Sequence, residues 1–325
     1  MRSSAGRIWR RRAWHGARWG VSVGLVAYVL SKIDLRAAWS VAGRLGGAAA
    51  ALTVLALAAK LASGATRWLF ILSALGERLP WRRGVAVFLL GNAVGQALPA
   101  SVGGDAARVW LAREEGIDLR VAARSVAIDL LAGFASLCLM MLAATPSLYR
   151  GLAPREVAGT VLAVALLGVA VVAALCAAGR FVRGATARPL RALETVANDG
   201  RALLFDPRNA APTLGLSLLF QSTQVAAVYT LARGLHVPLG LHDAFVLVPV
   251  VLAAATLPLG MGGWGVRELG MVSVLGLAGL SAESAAVIAV LFGLFNLALA
   301  LLGGAGAWAL RRGGTPGRAP VRGAP

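Results

Sequence analysis

Long apolar stretches separated by short clusters of charge make up this chain, and their lengths predict its elements. The run 21–30 centres a first helix over about 17–33, and 45–75 is apolar for 31 residues. As a helix the second run would be about 46 Å long, against about 30 Å of bilayer hydrocarbon. Lys60 and Arg67-Trp68 interrupt it, so the pattern predicts a span over 45–66 with Arg67 and Trp68 as a cationic and aromatic anchor at the inner interface. Further spans are expected over about 125–145, 157–178 and 211–232, the first two joined by a loop holding Pro146 and Pro154. The last helix should begin near Ser281, whose hydroxyl suits an N-cap, and end before Arg311-Arg312. Two further runs, 85–98 and 244–257, are too short to cross comfortably.

Each short run leads into the same motif. Leu98-Pro99, Gly103-Gly104 and Arg108 return as Leu257-Pro258, Gly262-Gly263 and Arg267, both reading L-P-x3-G-G-x3-R at a spacing of 159 residues. Paired short apolar segments interrupted by Gly and Pro, one in each half, point to a transporter's binding site. Pro lacks an N–H and breaks the helix. The Gly-Gly pair is expected to unwind, because glycine adopts positive φ and lets backbone approach a ligand or another helix. Irregular backbone at membrane depth survives only inside protein or beside a wet cavity.

Composition supports the same class. With 58% hydrophobic and 14% charged residues among 325, the chain is too apolar for an ordinary soluble domain. Barrel strands would show short alternating segments instead. The net charge of +18 would suit nucleic acid, but the basic residues are dispersed in short loops and no nucleic-acid motif accompanies them. Orientation in a membrane explains them better. If both short runs crossed fully, the hydrophilic segment 180–208, with six Arg, would face outward, against the positive-inside rule. If both are re-entrant, six full spans remain. The N-terminus, the 76–124 region, the 179–210 loop and the C-terminus then all face the cytoplasm. The fold expected is therefore an all-α polytopic membrane protein of about six transmembrane helices plus two re-entrant hairpins in an inverted repeat. A basic N-terminus over 1–18 precedes a single membrane domain over 19–310 with halves of about 19–145 and 157–310. A disordered cytoplasmic tail, 311–325, follows it.

Arg108 and Arg267, entering from opposite sides, are expected to meet at a shared central space. Arg suits bidentate contact with phosphate. Asp105, Glu268 and Asp129 are placed to pair with these arginines or to carry protons, and such pairing could equally be purely structural. Asn92 and Gln96 share one helix face at i,i+4 and either line the cavity or bond between helices. Lys60, about two turns inside the membrane, is a further candidate, although it is expected to snorkel and to be secondary. Cys138 and Cys176 fall inside predicted helices as small apolar residues, so neither a disulfide framework nor a zinc cluster is available. His15, His236 and His242 are scattered in predicted loops. No metal and no cofactor are expected.

At these residues the chain resembles the transmembrane region of lysylphosphatidylglycerol synthases and its stand-alone flippase-like relatives. The likeness rests on Arg67-Trp68, on the stretch from Asn92 through Pro99, Gly103, Gly104 and Asp105 to Arg108, and on Pro258, Gly262, Gly263, Trp264, Gly265, Val266, Arg267 and Glu268. It covers roughly 20–310. Relatives often carry Asp-Arg early in the helix after the first motif, where this chain has Asp129-Leu130. The resemblance implies a bacterial inner-membrane protein that moves an anionic phospholipid or lipid-linked headgroup across the bilayer. The aminoacyl-transfer activity of full-length synthases is not expected to carry across, because only a short tail follows the membrane region. Two alternatives stay open: a polytopic membrane transferase acting on a lipid-linked substrate, and a non-transporting partner of a separate lipid-modifying synthase. A membrane lipid is the expected ligand. A second copy of the chain or a separate synthase are the protein partners open to it.

Overall fold

The computed structural model describes residues 35–97, 102–182, 187–256 and 265–313, and the regular structure in them is helical. The first half runs through α1 (Leu35–Ala42), α2 (Gly47–Ala74), α3 (Trp81–Ala97), α4 (Val102–Glu114) and α5 (Leu119–Ser147). After α6 (Arg155–Ala178) and α7 (Arg188–Leu204), the second half comprises α8 (Pro207–Gly234), α9 (Leu241–Ala255), α10 (Val266–Leu275) and α11 (Ala282–Gly313). Five of the described helices are long and apolar enough to cross a bilayer: α2, α5, α6, α8 and α11. The expected first helix, 17–33, lies outside the described residues.

Local chemistry starts and stops these helices. Asp118 accepts bonds from the backbone N–H groups of Arg120 and Val121 at the head of α5, and Asp206 caps α8 with Pro207 behind it. Ser281 caps α11 as expected, accepting from the Ser284 N–H at 3.3 Å. Gly76, at φ 88°, turns the chain out of α2. At the matching place after α8 stands His236, at φ 57°, where a side chain is uncommon.

The two halves repeat in three dimensions. Helices α2 and α8 are each 28 residues long and start 160 positions apart, at Gly47 and Pro207. Helices α3 and α9 start at Trp81 and Leu241, the same distance apart. The equivalent helices α2 and α8 lie against each other and run antiparallel. Thr53 meets Thr230 at 2.9 Å, and further along Arg67 meets Ser217 at 3.1 Å. Packing partners exchange between halves in the same way: α11 covers α3 while α5 covers α9, and α4 meets α5 as α10 meets α11. The halves are thus turned over relative to one another.

Helices α3 and α4 form a hairpin whose backbones nearly touch. A Cβ on Gly104 would lie 2.6 Å from the Gly91 carbonyl oxygen and 2.8 Å from the Gly95 Cα. The open end closes with Arg83 and Glu115 at 3.5 Å. Beside it, Arg311 of α11 reaches Glu115 at 2.9 Å and Glu114 at 3.3 Å, and Arg124 holds Asp199 of α7 at 2.6 Å. One end of the bundle therefore gathers the open end of the α3–α4 hairpin, the start of α5, α7 and the end of α11.

Several boundaries differ from the sequence expectation. Arg67 and Trp68 do not end α2, which continues to Ala74, and both are buried in protein rather than anchored at an interface. Helix α5 runs through Pro146, and the link to α6 is a π turn over Leu148–Leu152. The segment 180–208 is not simply a hydrophilic loop. It holds the amphipathic α7, whose Ala197, Leu203 and Leu204 are buried. Helix α11 continues past Arg311 to Gly313. Gly103 and Gly104 sit in the first turns of α4 and are helical, not unwound. Gly104 is needed because the α3 backbone occupies the place of its side chain.

Candidate functional site

Polarity is inverted relative to a soluble protein. On α6 the large apolar side chains Val164, Leu166, Leu167 and Val171 point outward, whereas Arg67, Arg108, Asp129, Arg267, Glu268 and Asn296 are buried. Burying an isolated charge is costly, so each must be paired or hydrogen-bonded. The pairing is centred on Asp129 of α5. Its Oδ1 accepts from Arg67 Nε at 2.7 Å and its Oδ2 from Arg108 Nη1 at 2.8 Å. One carboxylate thus joins α2, α4 and α5. Arg108 Nη2 also donates to Asp105 at 3.0 Å, and its guanidinium lies 5.5 and 5.3 Å from the Trp68 and Phe88 rings. Trp68 Nε1 donates to Ser125 at 3.1 Å, one turn before Asp129, which completes the latch between α2 and α5. Arg108 Nε is buried without a hydrogen-bond partner among the described residues.

The second half solves the same problem differently. Gly265, at φ 86°, precedes α10, and Glu268 accepts from its backbone N–H and from Arg267, whose Nη2 is at 2.6 Å. That conformation suits glycine. The Arg267 guanidinium lies 5.7 Å from the Phe292 ring.

Both arginines line one cavity of about 400 Å³ inside the bundle. The first hairpin contributes Asn92, Gln96, Asp105 and Arg108 to its wall, with Gly91, Gly95 and Gly104 where the two backbones meet. Helix α8 contributes Phe220, Gln221 and Gln224, the end of α9 contributes Thr256, and α10 contributes Arg267. Of the sequence candidates, Arg67, Asp129 and Glu268 stand behind this wall, and Gly103 is helical without lining it. Pro99, Pro258, Gly262 and Gly263 lie outside the described residues.

Lys60 does not snorkel. Its Nζ donates to Asn296 Oδ1 at 2.7 Å on the cavity wall and lies 5.6 Å from the Phe220 ring. Sequence reasoning passed over Asn296, Gln221 and Gln224. Their signal was present, as amides inside otherwise apolar spans, but nothing in the pattern said which of them converge.

An apolar exterior around a core that buries paired charges beside a cavity defines an all-α polytopic membrane protein. The chain belongs to the lysylphosphatidylglycerol synthase transmembrane-region family, whose pattern, described as "Lysylphosphatidylglycerol synthase TM region", matches residues 17–304. No curated protein matches it. Leu130, the residue after Asp129, lines the same cavity as Arg108.

Proposed function

We propose that this protein is a flippase-like transporter that moves an anionic phospholipid or lipid-linked headgroup across the bacterial inner membrane. The supporting observation is the convergence of Arg108 and Arg267, from two halves that run in opposite directions, on one cavity lined by charged, amide and apolar side chains. A headgroup there meets cationic groups and amides, while its acyl chains stay in lipid beyond the apolar outer faces. The hairpins α3–α4 and α9–α10 are read as re-entrant, entering from opposite sides with the cavity between them. Asn92, Gln96 and Asp105 would complete the ligand's surroundings. Arg67, Asp129 and Glu268 would hold the arginines in place.

The test is headgroup translocation by the purified protein in liposomes carrying fluorescent phosphatidylglycerol, read as the fraction of probe reached by an impermeant quencher. Arg108→Ala and Arg267→Ala should each remove most transport at normal levels of folded protein. Arg108→Lys should also impair it, because an ammonium cannot replace the planar fork that reaches Asp129 and Asp105 together. Translocation no faster than in protein-free liposomes would reject the reading.

A further inference from the structure

We infer that Lys60, rather than either motif arginine, supplies the uncompensated positive charge of the cavity, and that the group it selects is one monoanionic phosphodiester of a lipid headgroup. The inference rests on the transport reading above and names its ligand more narrowly.

Charge accounting leads to it. Among the described residues, the cations on or directly behind the cavity wall are Lys60, Arg67, Arg108 and Arg267, and the acids are Asp105, Asp129 and Glu268. Arg67 and Arg108 share Asp129, Arg108 also reaches Asp105, and Arg267 holds Glu268. No described carboxylate pairs with Lys60. Its partner is the neutral Asn296, whose own amide is pinned by donating to the Phe292 carbonyl at 2.7 Å. Four cations against three acids leave one positive charge, and Lys60 is where it sits.

The geometry gives that charge a use. An ammonium has three donors, and Asn296 takes one, leaving two for an anion. Phe220 covers one side of Lys60, so the ammonium is sheltered from the lipid and faces the cavity. Arg267 lies over the Phe292 ring, one turn from Asn296 and on the same face of α11, so Lys60 and Arg267 border the cavity along one stretch of that helix. An anion seated between them meets donors from α2 and α10. One negative charge makes the enclosed set neutral. A diphosphate would bring further charge with no cation to meet it, which buried surroundings penalise.

Calorimetric titration of the full-length protein in dodecyl maltoside micelles, which carry no phosphate, tests this with three probes: short-chain phosphatidylglycerol, farnesyl diphosphate and inorganic phosphate. Phosphatidylglycerol should bind at least about tenfold more tightly than the other two. Lys60→Gln should weaken it by about tenfold or more, as expected for losing a hydrogen bond to a charged group, and Lys60→Arg should stay within about threefold of wild type. Asn296→Asp is the decisive companion, because it keeps Lys60 and the side-chain shape yet cancels the excess charge. It should lose phosphatidylglycerol by a similar factor while its thermal unfolding temperature holds or rises. Wild-type affinity in Lys60→Gln or Asn296→Asp would overturn the role of Lys60 and leave the transport reading standing. Equal or tighter binding of farnesyl diphosphate would overturn the monoanionic class, and equal binding of inorganic phosphate would overturn the lipid source. A wild-type protein that neither binds nor translocates phosphatidylglycerol would remove both this inference and the transport reading.

Discussion

Asp129 shows why the arginines of this protein cannot be understood one at a time. It accepts from two guanidinium groups on different helices, and its side chain and that of Arg67 are 4% and 6% exposed. Removing one partner of a buried pair typically costs about 3–5 kcal/mol, because the other is left uncompensated. The consequences should differ by residue. Among the described residues, Asp129→Ala takes the only carboxylate partner from Arg67 and leaves Arg108 with Asp105 alone, so it should cause the largest fall in stability, about 3 kcal/mol or more, read by thermal or denaturant unfolding in detergent. Arg108→Ala leaves Asp129 with Arg67 and should cost less, while still removing transport. The double change Asp105→Ala with Arg108→Ala separates binding from bracing. If it regained transport, the binding role given to Arg108 would be refuted.

At the scale of elements, the α3–α4 hairpin depends on missing side chains. The contacts that a Cβ on Gly104 would meet, at 2.6 and 2.8 Å, are with backbone, which cannot rotate out of the way. Gly104→Ala should therefore splay the hairpin, shift Arg108 from Asp129, and lower both the unfolding temperature and transport. Gly215, in the middle of α8, has nothing within 4 Å of its would-be Cβ. Gly215→Ala should be neutral or stabilise by up to about 1 kcal/mol, through helix propensity and a less flexible unfolded chain. A Gly104→Ala protein as active and as stable as wild type would show that the close backbone approach does not set the site.

For the whole molecule, the decisive quantity is which end faces the cytoplasm. The structure brings the open end of the α3–α4 hairpin, the start of α5, α7 and the end of α11 to one end, tied by Arg124–Asp199 and Arg311–Glu115. Arg150 and the start of α9 lie at the other, where Ser147 meets His242 at 3.0 Å. With Cys138 and Cys176 replaced, single cysteines at Thr195 and Arg150 should report opposite sides. An impermeant thiol reagent added to intact cells should label Arg150→Cys and spare Thr195→Cys. Labelling of Thr195→Cys alone from outside would invert the expected orientation, and labelling of both would show that α6 does not separate the two positions.

The apolar run lengths were enough to determine the class, the spans α6, α8 and α11 to within about four residues, α5 except for its first six residues, and the two short segments that became α3 and α9. The repeated motif was enough to single out Arg108 and Arg267, because a Pro, two Gly and an Arg at matched spacing are rare in two places of one chain. Periodicity could not reveal that Arg67 and Trp68 are interior, since an intramembrane cation reads the same whether it faces lipid headgroups or a buried carboxylate. Nor could it distinguish a glycine kept for unwinding from one kept for contact, as at Gly104, where the cause is the backbone of another helix. The partners of Asp129 and Lys60 are 62 and 236 residues away along the chain. Such pairings are set by how the two antiparallel halves pack, so only the tertiary structure could decide which cations meet a carboxylate and which one meets a neutral amide.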